Sequence, residues 1–83
     1  MRIVVYGKPM CVQCDATYRQ LGKLGIQYDK VDVSQNDEAL ETIKQLGYQQ
    51  APVIITYNDD GSICESWSGF RPDRLKAAVA VAA

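Results

Sequence analysis

The chain has 83 residues, 47% apolar and 23% charged, which leaves room for one folded unit spanning residues 1–83, not two, and sets it apart from the polar, highly charged chains that stay disordered. Nine Lys and Arg against ten Asp and Glu leave a net charge of −1, no footprint for a nucleic-acid backbone or an anionic membrane surface, so the expected partners are proteins or small molecules. No apolar run nears the roughly 20 residues of a bilayer span, Ile3 to Tyr6 is too short for a signal-peptide core, and an odd set of three cysteines fits a reducing cytoplasm better than a secreted disulfide scaffold.

Ile3 to Tyr6 is a continuous β-branched and aromatic run bounded by Gly7 and Pro9, which predicts a buried strand entering a loop. From Val12 to about Leu24, the spacing of Cys14, Tyr18, Leu21 and Leu24 predicts a helix with one apolar face, stopped at Gly25. Tyr28 to Val33 alternates, predicting a second strand with Val31 and Val33 toward the core. Ser34 and Asp37 form a loose capping pattern for a second helix, with Ala39, Leu40, Ile43 and Leu46 inward and Gly47 after its end. These elements make a βαβ unit with parallel strands.

Val53 to Tyr57 and Ser62 to Trp67 flank Asn58-Asp59-Asp60-Gly61, whose Asp-Gly ending predicts a hairpin. Pro72 suits the first turn of a last helix through Leu75, Ala78 and Val79, fraying across the final alanines. The expected class is α/β, with order β-α-β-α-β-β-α and a four-stranded mixed sheet flanked by three helices.

The chemistry centres on Cys11-Val12-Gln13-Cys14. Two intervening residues in a first helical turn bring the sulfurs close enough to bridge, and the unpaired N–H groups and positive dipole end of the helix stabilise a thiolate at the first cysteine. Cys11 is therefore the expected nucleophile, its thiol drawn down from about 8.5 toward roughly 7 or below, with Lys8 three residues upstream as a supporting cation. Cys14, on the apolar face, is the expected resolving cysteine. Zinc fits poorly, because one further cysteine and no histidine cannot complete four N/S ligands; no metal is expected. A purely structural bridge fits poorly too, because a two-residue loop constrains the unfolded chain little. Pro52, directly before a strand, has two readings: it simply starts the strand, or a cis bond there makes a turn that leaves neighbouring backbone groups facing another chain.

Strand, Cys-x-x-Cys helix, parallel strand, helix, Pro52, hairpin and helix together resemble the thioredoxin superfamily over nearly the whole chain. Lys8-Pro9-x-Cys11-Val12-Gln13-Cys14, Leu46-Gly47-Tyr48, Ala51-Pro52-Val53 and Trp67-Ser68-Gly69-Phe70-Arg71-Pro72-Asp73 resemble, within it, the NrdH-redoxins. That resemblance implies a dithiol-disulfide oxidoreductase, glutaredoxin-like in fold and thioredoxin-like in behaviour, with no bound cofactor; a monomer is the expected state. It also implies electrons taken from NADPH through thioredoxin reductase and passed to the large subunit of class Ib ribonucleotide reductase. By position, Cys11 matches the attacking cysteine, Cys14 the resolving one, Pro52 a cis-proline facing them, and Trp67, Ser68, Gly69, Phe70, Arg71, Pro72 and Asp73 a reductase-docking stretch. The residues themselves also allow a plainer reading, in which Trp67 and Phe70 pack, Gly69 supplies an unusual backbone angle and Pro72-Asp73 starts a helix. Two rivals stay open: a glutathione-dependent glutaredoxin, against which the absence of Cys-Pro-Tyr-Cys and of a Gly-Gly-x-x-Asp-like segment speaks, and a binding module bridging a metal or iron-sulfur cluster between two chains. Cys64 lies outside the shared motif and is expected as a small packing residue in a strand.

Overall fold

Val4, Val5 and Tyr6 leave no polar face, a pattern suited to a strand covered on both sides. In the computed structural model, which describes residues 1–82 with side chains to residue 80, this segment is β1 (Arg2–Gly7), inside a four-stranded sheet of order β2-β1-β3-β4. β2 (Asp29–Asp32) runs parallel to β1, β3 (Val53–Tyr57) antiparallel to it, and β4 (Ile63–Ser68) antiparallel to β3. The helices are α1 (Val12–Lys23), α2 (Asp37–Gln45) and α3 (Pro72–Ala82), giving the expected chain order. Residue 83, where the last helix is expected to fray, lies outside the described residues.

The period of two along each strand divides the core into two layers. Ile3, Val5, Ile54 and Trp67 pack on one face with Leu21 of α1 and Leu75 and Ala78 of α3. Val4, Tyr6, Val53 and Ile55 point the other way, against Val33 and the α2 residues Ala39 and Ile43. Leu21, Ile54 and Leu75 are essentially free of solvent contact, each contributing about 1.5–3 kcal/mol of burial free energy. α1 and α2 end alike, because Gly25 and Gly47 donate to Gly22 and Lys44 while Ile26 and Tyr48 donate to Leu21 and Ile43, the paired bonds of a Schellman stop.

Four local expectations change. α2 is capped by Asn36, whose side-chain oxygen accepts from the Ala39 N–H at 3.0 Å; Ser34 instead turns back onto the Asp32 carboxylate through its N–H and hydroxyl. Leu46 is 40% exposed, because it is the C-cap residue beyond the last turn of α2. Cys64 is in a strand as expected but exposed, since the first half of β4 is uncovered on both faces. Thr17, absent from the apolar stripe read in α1, is fully buried because its hydroxyl is satisfied by the Gln13 carbonyl at 2.8 Å. A hydroxyl bonded back along its own helix buries without an unpaired polar group.

Candidate functional site

Strand register gathers the chemically notable loops at one end of the sheet. Tyr6, at the end of β1, lies opposite Val53 at the start of β3, and Val53 lies opposite Ser68 at the end of β4. The loop to α1, the loop into β3 and the loop out of β4 therefore meet. Cys11 is the N-cap of α1, with φ −121° and ψ 106°, and its Sγ accepts a hydrogen bond from the Cys14 N–H at 3.2 Å. The two cysteines are disulfide-bonded across 5.2 Å between Cα atoms. Cys11 keeps 8% of its surface exposed and Cys14 none. An N–H donor aimed at Cys11 Sγ, at the positive end of a helix, favours the thiolate there once the bridge opens. Met10 and Val12, fully and largely exposed, flank Cys11 on both sides.

The Ala51-Pro52 peptide is cis, and Pro52 is buried. Its carbonyl accepts from the Gly69 N–H at 2.9 Å, and Ser68 Oγ donates to the Gln50 carbonyl at 3.2 Å, joining the loop into β3 to the loop out of β4. Gly69 has φ +89°, a conformation that disfavours any side chain, so the unusual backbone angle expected of it is present. The Phe70 N–H donates to Gln13 Oε1 at 3.0 Å, which ties the redox turn to this second loop. Sequence reading passed over Gln13, and no local pattern marks it, because its partner is 57 residues away.

The Trp67 to Asp73 stretch divides by burial. Trp67 is 4% exposed, inside the core layer shared with α1 and α3, with the Arg74 guanidinium 5.0 Å from its ring centroid. Phe70 is half-buried against the same layer. Arg71 forms a forked pair with Asp73, Nε to one carboxylate oxygen at 3.3 Å and Nη2 to the other at 3.2 Å, which holds the Asp73 carboxyl below its usual range. Pro72 opens α3 as expected. Lys8 is exposed and lines a pocket of about 180 Å³ together with Gly7, Asp15, Tyr18, Lys30 and Asp32. Among the described residues no three His, Cys, Asp or Glu side chains form a group able to hold a metal ion, and no helix is long and apolar enough to cross a membrane.

What the three loops hold in place is a pair of sulfurs at a helix start, one at the surface and one beneath it, able to close and open a bridge. Fold and site together define a thiol-disulfide oxidoreductase of thioredoxin fold. A family model described as Glutaredoxin matches residues 3–60. The chain is 40% identical over 75 residues to the glutaredoxin-like protein NrdH of Escherichia coli, across 90% of this chain and 85% of that one. It is 33% identical over 73 residues to the glutaredoxin-like protein NrdH of Lactococcus lactis, across 88% and 93%. The solved structure of the glutaredoxin-like protein NrdH-redoxin from Escherichia coli superposes with a TM-score of 0.82 at 39% identity, covering 93% of each chain. The chain belongs to the glutaredoxin family, among its NrdH-redoxins.

Proposed function

We propose that this chain is a cytoplasmic, monomeric dithiol electron donor that is reduced by NADPH through thioredoxin reductase and in turn reduces the large subunit of class Ib ribonucleotide reductase. The observation that carries the chemistry is the Cys14 N–H directed at Cys11 Sγ at the N-cap of α1, with Cys14 buried behind it. The Cys11 thiolate attacks a disulfide of the partner, forming a mixed disulfide and releasing one partner thiolate. Cys14, once deprotonated, attacks Cys11 Sγ, the second partner sulfur leaves as thiolate, and two electrons have passed to the partner as the Cys11–Cys14 bridge closes. The reductase, a separate flavoenzyme, reverses this on the redoxin, which needs no bound cofactor or metal of its own.

Membership of the family supports this choice of partners. The Escherichia coli relative of known structure is described as having a thioredoxin-like activity profile. The loop where a glutathione carboxylate would be held also supports this reading: the Phe70 N–H is taken by Gln13, the Asp73 carboxylate is engaged by Arg71, and Pro72 has no N–H to offer. Exposed Met10 and Val12, with half-buried Phe70, make an apolar margin around Cys11 suited to a protein partner.

The test is reduction of the oxidised protein by NADPH with thioredoxin reductase, in parallel with glutathione and its reductase, followed by turnover of a class Ib ribonucleotide reductase. Rapid reduction in the first arm, little in the second and dithiol-dependent deoxyribonucleotide formation are expected. Equal or faster reduction by glutathione would replace this reading with a glutathione-dependent glutaredoxin. Purification with a cluster or metal and no disulfide reduction would replace it with a bridging module.

A further inference from the structure

Cys14 has no exposed surface, yet in the exchange described above it must give up its thiol proton before it can attack the mixed disulfide. The backbone of Gly7 marks where that proton can go. A Cβ added at Gly7 would stand 2.5 Å from Tyr18 Oη and 3.2 Å from Cys14 Sγ, so the phenol oxygen and the buried sulfur flank the same bare backbone position, within reach of each other through at most one water. No side chain fits there without displacing one of them. Tyr18 and Gly7 both line the pocket of about 180 Å³ that also takes in the charged Lys8, Asp15, Lys30 and Asp32 beside Pro9, Met10 and Val31, a space of mixed lining open to water.

The ring is held firmly while its hydroxyl is left unengaged. Tyr18 stacks on Tyr28 with centroids 5.8 Å apart and planes within 6°, and Lys30 Nζ sits 4.4 Å from the ring centroid. The Tyr6 and Tyr48 hydroxyls, by contrast, are bonded to Tyr57 and Ser66; the Tyr18 hydroxyl has no protein partner among the described residues. Packing alone accounts for the ring, and a phenylalanine would serve it equally. The hydroxyl, close to a buried thiol and on a residue that lines a solvent-open pocket, is what packing leaves unexplained.

We propose that Tyr18 is the proton-relay residue of the resolving step, its hydroxyl carrying the Cys14 proton to water in the pocket lined by Lys8, Asp15, Lys30 and Asp32. This rests on the dithiol reading above. In the step, the Cys14 S–H bond breaks as a new O–H bond forms at Tyr18, and the original phenol proton passes to pocket water. The Cys14 thiolate then attacks Cys11 Sγ, and the partner sulfur departs with the electron pair and is protonated from solvent. The phenol ends as it began. Burial, Tyr28, Asp15 and Asp32 all raise its pKa, so it hands a proton on instead of accumulating as phenolate. Lys8 and Lys30 face the same pocket, and Cys11 faces Cys14 from the surface side.

The experiment uses pre-reduced protein in a Cys64→Ser background, so that the exposed third thiol contributes no signal, mixed with an aromatic disulfide, 5,5′-dithiobis(2-nitrobenzoate), in a stopped-flow instrument. The first thiolate released reports attack by Cys11 and the second reports resolution by Cys14. Tyr18→Phe, which keeps the stacked ring, is expected to leave the first phase and the melting temperature unchanged and to slow the second about tenfold at pH 7. The deficit is expected to narrow as pH rises, because a larger fraction of Cys14 is then already ionised before the mixed disulfide forms and needs no relay in the resolving step. Tyr28→Phe, which removes the hydroxyl of the neighbouring ring, is expected to match the parent in both phases. A second phase at the parental rate across the pH range overturns the relay, as does equal slowing of both phases. A parent protein with no second phase overturns the dithiol reading itself.

Discussion

The helices α1 and α2 begin in the same way with different atoms. Cys11 and Asn36 are both N-cap residues in extended conformation, and each accepts from the N–H three residues on, at 3.2 Å to sulfur and 3.0 Å to oxygen. Both helices then stop in the same pair of backbone bonds after Leu24 and Leu46. Asparagine is among the best caps and contributes its bond to stability; sulfur is a weak acceptor and a poor substitute on that ground. At α2 the orphaned donors are used to hold the fold, and at α1 one of them is directed at a sulfur of the bridging pair, where it favours the ionised form once the bridge opens. Helix-start geometry is therefore general, and the element at the cap decides whether it stabilises or activates.

Exchanging the cap atoms separates the two roles. Cys11→Ser puts a preferred capping oxygen at α1, so the melting temperature of the reduced form is expected to hold or rise while disulfide reduction falls to the level without protein. Cys14→Ser, by contrast, is expected to keep the first attack and accumulate a mixed disulfide, visible as added mass on a non-reducing gel; parental turnover by this variant would remove Cys14 from the resolving role. Asn36→Ala is the mirror experiment: a loss of about 1 kcal/mol, or about 4–8 °C in melting temperature for a chain of this size, with disulfide reduction unchanged.

Smaller changes sharpen how the reactive cap is held. Gln13→Ala removes the acceptor of the Phe70 N–H, and a cost of about 0.5–1.5 kcal/mol is expected, together with faster hydrogen exchange at the Phe70 amide; parental exchange there would mean that the tie between the two loops does not persist in solution. The smallest effect concerns Arg71→Ala. The Arg71 hydrogen bond is the main reason the Asp73 carboxyl sits low, so its removal is expected to let the carboxyl return upward in an NMR titration. Because the folded-state pKa is depressed, whatever the pair adds to stability is present above the ordinary carboxylate range and lost as pH falls through the folded value. An unmoved Asp73 titration in the variant would assign the shift to the helix start instead.

What the sequence by itself determined is the set of properties that depend on near neighbours. The continuous apolar run of Ile3 to Tyr6, the alternation of Tyr28 to Val33, the stripe of Cys14, Tyr18, Leu21 and Leu24, the Asp60-Gly61 turn and a Cys-x-x-Cys at a helix start all act over a few residues, so fold order and the bridging cysteine pair were legible from the sequence. Even locally some competition stayed hidden: Ser34 and Asn36 are both good caps, and the choice fell to Asn36 because Asp32 had already engaged Ser34. Only the tertiary structure decided the rest. The Gln13 to Phe70 bond, the Pro52 carbonyl on Gly69, the approach of Tyr18 and Cys14 to bare Gly7, and the exposure of Cys64 follow from strand register and from which faces the helices cover. Those contacts join residues far apart in the chain, and no spacing in the sequence encodes them. The weak sulfur cap at Cys11 belongs to both accounts: its place at the helix start is written locally, and the groups that receive its partner's proton are brought there by the fold.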